Sequence, residues 1–151
     1  MGRKSIKENK NIYQCIREEI GLTRDKAEEL LKCISSDRIE KIEADKTLIR
    51  PDEILTMAKG YKKPELINYY CSHECPIGKK YIQEVNDKQL PQITLEILNS
   101  LNDLEKIKEK LINITVDGKI SNDEFKDFSI IKKELNELKN TIDSLNLWIE
   151  K

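Results

Sequence analysis

The sequence predicts an all-α protein, and three observations carry that prediction. Charged residues make up 36% of the 151 and aromatic residues 5%, a balance that suits solvated amphipathic helices better than a sandwich or barrel. Apolar residues recur at three- and four-residue steps through most of the chain, the period of a helix with one buried face. Gly21, Pro51, Pro64 and the Asp117-Gly118 dipeptide stand where periodic runs stop or start, as helix punctuation does. The length allows one ordinary domain or two small ones.

The first helix opens at Ile12, with Ile12, Ile16 and Ile20 on one face and Gly21 in the stop position. Thr23 offers an N-cap oxygen to a second helix striped by Ala27, Leu30, Leu31 and Ile34, ending near Cys33. Ser35 or Ser36 caps a third, in which Ile39 and Ile42 face inward while Asp37, Arg38, Glu40 and Lys41 point elsewhere. Pro51 suits the first turn of a fourth helix with Ile54, Leu55 and Ala58, and Pro64 does the same for a fifth with Leu66 and Ile67. Five short helices over residues 1–70 make one unit.

Residues 71–91 lose sustained periodicity and read as a connector; residues 92–151 form a long helical hairpin. Its first helix is striped by Ile97, Leu101, Leu104, Ile107, Leu111 and Ile114. Asp117-Gly118 reverses the chain, and Ser121 with Glu124 has capping-box spacing. Phe128, Ile131, Leu135, Leu138, Ile142, Leu145 and Ile149 then follow at the steps of a coiled-coil seam. Two antiparallel helices bury one seam between them, and Trp148, Leu147 and Ile130 lie off it. A second copy completing a four-helix bundle is the expected partner, so the hairpin is expected to make a homodimer.

No apolar run approaches the roughly 18 residues a membrane span needs. The opening MGRKSIKENKN has no apolar core for a signal peptide, and Ile6 stands where a myristoylation signal needs Ser or Thr. A cytoplasmic chain without membrane contact is expected. Net charge is -1; residues 1–70 hold 15 basic against 13 acidic side chains and the remainder 12 against 15. That is far from the strongly basic footprint of many nucleic-acid binders.

The second and third helices nevertheless meet across a brief turn, as a helix-turn-helix does. IEKIEADK at Ile39–Lys46, Arg50-Pro51 followed by ILTMAK, and NYYCSHECPIG at Asn68–Gly78 together resemble the phage-repressor and Cro-like family of transcriptional regulators, the xenobiotic-response-element family. The resemblance covers the N-terminal half only. It implies a five-helix, lambda-repressor-like domain that binds double-stranded DNA, in a repressor-like regulator of bacterial or prophage origin. It places Ser36, Asp37, Arg38, Glu40 and Lys41 nearest base edges, with Arg38 foremost, and Arg24 and Lys46 on phosphates. It also turns Glu43 toward its own domain. Arg3, Lys4, Lys7 and Lys10 form an arm that could add salt-sensitive phosphate contacts.

The sequence departs from that family in three ways. Ala27 to Ile39 spans twelve residues where about ten are common, and Asp45 stands where Gly is preferred. Asp37, Glu40 and Glu43 outweigh Arg38 and Lys41 on the helix meant for a phosphate-lined groove, although Glu and Asp can accept from cytosine N4. The alternative function is a protein-interaction module, an antirepressor or adaptor, that keeps the scaffold without binding DNA.

Cys71, His73 and Cys75 cluster within five residues, and Cys15 or Cys33 could complete a tetrahedral metal site. The competing reading is buried thiols and a surface histidine. Asn113–Glu124 superimposes on a calcium loop with Asp117 and Glu124 at positions five and twelve, but Asn113 and Thr115 replace usual ligands, and a capped turn explains the same residues. One histidine, no phosphate-binding loop and no nucleophile-base set argue against an enzyme and against a resident cofactor.

Overall fold

The computed structural model describes residues 10–86, 88–115, 121 and 124–150. Among them every regular element is a helix, and the chain divides into a unit ending at Glu84 and a second spanning Val85–Glu150.

In the first unit α1 (Ile12–Glu19), α2 (Arg24–Leu31), α3 (Ser36–Glu43), α4 (Pro51–Tyr61), α5 (Glu65–His73) and the short α6 (Gly78–Tyr81) follow one another. Local chemistry sets their starts. Asn11, Thr23 and Ser35 are N-caps whose side-chain oxygens accept from Gln14, Lys26 and Arg38 N–H at 3.1, 3.3 and 3.3 Å, each satisfying an orphan donor of the first turn. Pro51 opens α4, where its missing N–H costs nothing. Gly21, at φ +76°, turns the chain out of α1, a conformation that only glycine adopts freely.

The core gathers the apolar stripe of each helix: Tyr13 and Ile16, Ala27 and Leu31, Ile39 and Ile42, Ile54, Met57, Ala58 and Tyr61, and Leu66. Ile34 and Ile49 close it from the connections. The expected boundary at residue 70 falls inside α5. Tyr13 O–H donates to Glu74 Oε1 at 2.6 Å, and the Tyr13 and Tyr69 rings meet edge to face at 6.3 Å. These contacts bind the end of α5 to α1, so residues 71–84 of the expected connector belong to the first unit. The N–H groups of Glu74 and Cys75 both reach Tyr70 O at 2.9 Å and close α5.

In the second unit α7 (Leu90–Thr115) packs along α8 (Glu124–Ile149). Ser121 and Glu124 form the expected reciprocal cap: Ser121 N–H donates to the Glu124 carboxylate at 2.9 Å, and Glu124 N–H to Ser121 Oγ at 3.3 Å. Asp117 and the rest of the expected reversal lie outside the described residues. Burial divides the expected α8 seam. Ile131 is buried and Phe128, Leu138 and Leu145 are half-buried, while Leu135, Ile142 and Ile149 are 42%, 44% and 66% exposed. Thr141, Ser144 and Leu147 are buried in addition.

Candidate nucleic-acid interface

Four residues, Lys32 to Ser35, separate α2 from α3. Lys32 in this connection takes φ +59°. The carboxylates of α2 hold the start of α3: Asp25 Oδ1 accepts from Ser36 Oγ at 2.8 Å, and Glu28 Oε2 from Ser36 N–H at 2.9 Å. Negative charge at a helix N-terminus also complements its dipole.

Two arginine–carboxylate bridges fix α3 from behind. Glu43, 1% exposed, accepts from Arg17 Nε at 2.5 Å and Nη2 at 2.9 Å, and from Arg24 Nε at 2.9 Å. Arg17 Nη1 donates to Leu22 O at 2.6 Å. Burial pulls the Arg17 pKa down, but the hydrogen bond and charge of Glu43 outweigh it, and the net shift is upward. Glu43 is therefore turned into its own domain, as expected, and its charge does not face outward.

The second bridge joins α3 to α4. Arg38 Nε and Nη2 donate to Glu53 Oε1 and Oε2 at 2.8 and 2.7 Å, Nη1 to Thr47 Oγ1 at 2.6 Å, and Nη2 also to Leu48 O at 2.8 Å. Arg38 was expected foremost at base edges, yet every guanidinium nitrogen is spent inside the domain. A buried carboxylate at the start of α4 offers the bidentate geometry that guanidinium prefers. Arg24 gives Glu43 only its Nε, and its side chain stays 36% exposed.

The outward face of α3 consists of Asp37, Glu40 and Lys41, all exposed, with half-exposed Ser36 at its start. Lys41 Nζ pairs with Asp37 Oδ2 at 2.7 Å across one turn, an exposed pair of small energetic value. Lys46 is exposed in the α3–α4 connection. Arg50 at its end is 64% exposed, 3.3 Å from Asp52. A polar groove beside α3 is lined by Lys32, Ser35, Arg38, Thr47 and Arg50 with Glu28 and Glu53. Sequence reasoning missed Lys32 and Arg50, which lie off the helix that the motif emphasises. Of the N-terminal arm, Lys10 pairs with Glu18 at 2.7 Å, and Arg3, Lys4 and Lys7 lie outside the described residues.

The expected metal set is not assembled, and no cluster of three or more His, Cys, Asp or Glu suited to a metal occurs among the described residues. Cys15 and Cys33 are exposed, and Cys71 and Cys75 are half-buried at the end of α5. Cys75 Sγ accepts Gly78 N–H at 3.4 Å. Burial, with neighbouring Cys75, pushes the Cys71 thiol up, away from the reactive thiolate. The His73 ring stacks on Tyr69 at 4.4 Å, with Nε2 3.5 Å from Glu84. Of the expected calcium ligands, Asp117 is not among the described residues, and Glu124 serves the cap of α8. No helix among the described residues is long and apolar enough to cross a membrane.

Comparison of the chain with family models, with curated proteins and with solved structures found no match.

Proposed function

We propose that the protein is a sequence-specific DNA-binding transcriptional regulator, a repressor-like dimer in which α2 and α3 form the helix-turn-helix and α7 and α8 form the dimerising hairpin. One observation carries the reading: α3 is braced from behind by two arginine–carboxylate bridges and capped from α2, and its opposite face, Asp37, Glu40 and Lys41, is open. A rigid helix presenting a polar face beside a short turn is what insertion into a major groove requires.

In this reading the base-edge residues are Ser36, Asp37, Glu40 and Lys41, and Arg38 positions the helix that carries them. Lys41 suits guanine O6 and N7, and Asp37 or Glu40 can accept from cytosine N4. Lys46, Arg50 and Lys32 flank α3 and suit phosphates, which fix register without reading sequence. Retardation assays at low salt on fragments of the source genome test the proposal; the expected result is a retarded subset of fragments, and no binding at any salt overturns it.

The charge of the open face favours a second reading. Arg38 is committed inward while Asp37 and Glu40 are exposed, which suits a basic protein partner, as in an antirepressor or adaptor. Glu40→Lys discriminates the two. If α3 meets DNA, the substitution strengthens non-specific binding about tenfold at low salt; unchanged affinity assigns the face to a protein partner.

A further inference from the structure

We propose that Glu40 is the specificity-determining residue of α3, and that it selects a C·G pair by accepting from cytosine N4 in the major groove. This rests on the DNA-binding reading above and names the base that α3 requires. Asp37, Glu40 and Lys41 share the outward side of α3 at three- and four-residue steps, with Glu40 in the middle. The groups around it are already committed. Ser36 donates its hydroxyl to Asp25 and its N–H to Glu28, and Arg38 is turned inward to Glu53, Thr47 and Leu48. Asp37 is paired with Lys41 at 2.7 Å, and an ammonium keeps further N–H groups when one is used, so that pair brings donors as well as acceptors. Glu40 brings acceptors alone. Its exposed carboxylate has no hydrogen-bond or ion-pair partner among the described residues.

A carboxylate that enters a groove sheds water and must receive a donor there, or the cost of desolvating its charge stands uncompensated. Major-groove edges offer two donors, cytosine N4 and adenine N6. Adenine N6 stands between two acceptors, its own N7 and O4 of the paired thymine, and both repel a carboxylate oxygen. Cytosine N4 has one acceptor neighbour, O6 of the paired guanine, and the apolar C5 edge on its other side. Guanine and thymine themselves turn only acceptors to the groove, O6 and N7 or O4. Cytosine is therefore the base that compensates Glu40 best. The same charge opposes phosphate on every sequence, so Glu40 lowers affinity in general and returns it only where a cytosine stands opposite.

Fluorescence anisotropy of the full chain, on duplexes taken from genomic fragments that it retards, tests the assignment. Each cytosine of the site is replaced in turn by N4-methylcytosine, whose methyl group takes the place of the groove-facing N4 hydrogen. The expected result is a cytosine at which the methyl group weakens wild type about tenfold while Glu40→Ala, with unchanged helix content by circular dichroism, responds less than about twofold. Glu40→Ala is also expected to bind unrelated DNA about threefold more tightly at low salt, and so to discriminate less. Methyl effects that are absent, or equal in wild type and Glu40→Ala at every cytosine, overturn the role of Glu40. Coupling to N6-methyladenine in place of N4-methylcytosine overturns the choice of cytosine. Retardation of no fragment overturns the DNA-binding reading, and this inference with it.

Discussion

Glu53 shows how one carboxylate can set the orientation of a helix it does not belong to. It is 4% exposed, holds Arg38 bidentately, and accepts Arg50 N–H at 2.9 Å at the start of its own helix. The Arg38 hydrogen bond holds its carboxyl below the ordinary 4.5, against burial, with help from Arg50 N–H and both arginine charges. A carboxylate whose folded pKa is depressed contributes stability that is present above the unfolded value and lost as pH falls through the folded one. Glu53→Gln is therefore expected to destabilise the first unit by about 2 kcal/mol at pH 7, discounted because Arg38 is partly exposed. Its unfolding free energy should also fall less steeply than wild type below about pH 4.5. Urea titrations between pH 7 and 3 measure both; parallel pH profiles would show that folding does not depress the Glu53 carboxyl. On the proposed DNA-binding reading, Arg38→Ala is expected to weaken binding through displacement of α3, a different cause from loss of a base contact.

Helices show which information is local. Thr23, Ser35, Pro51 and the Ser121–Glu124 pair were legible because a cap acts within three residues of itself. Extension of α5 past residue 70 was not, since its anchor, Tyr13 to Glu74, spans 61 residues. The inward turn of Arg38 depends on a partner 15 residues away, and no periodicity records such a pairing. Apolar spacing on α8 was visible, but spacing alone does not say which of two adjacent stripes faces α7. The CPIG segment has a steric basis of the same non-local kind. A Cβ on Gly78 would collide with the Cys71 backbone carbonyl, whereas one on Gly60 meets only the flexible end of Leu31. Gly78→Ala should therefore cost about 3 kcal/mol, as overpacking against immovable backbone does. Gly60→Ala should cost under about 1 kcal/mol, because better helix propensity offsets the shift of Leu31. Chemical denaturation of the two variants checks the order, and equal costs would mean that the Gly78 turn yields without unwinding α5.

At the scale of the whole molecule, weak charge has to be reconciled with the proposed DNA binding. With 15 basic against 13 acidic residues through residue 70, and Arg17 and Arg38 spent on Glu43 and Glu53, a single unit has little net positive charge to offer phosphate. Counterion release, the main source of affinity in such proteins, is correspondingly small for one copy. Two copies on a two-fold symmetric site double it, and once one half-site is occupied the second meets an effective concentration in the millimolar range. If the proposed function holds, a dimer contact in the α7–α8 hairpin should thus decide operator affinity. Leu135→Glu, at an exposed apolar position of that hairpin, is expected to lower affinity for a complete, near-palindromic operator about a hundredfold. Its affinity for an isolated half-site should stay within about twofold of wild type, because α3 and its bridges are untouched. Fluorescence anisotropy on both duplexes, taken from fragments selected for binding, separates the two terms. Equal losses on half-site and operator would place the defect in folding of the chain; no loss on either would mean that binding depends on no contact of Leu135, and that its affinity resides in the open face of α3.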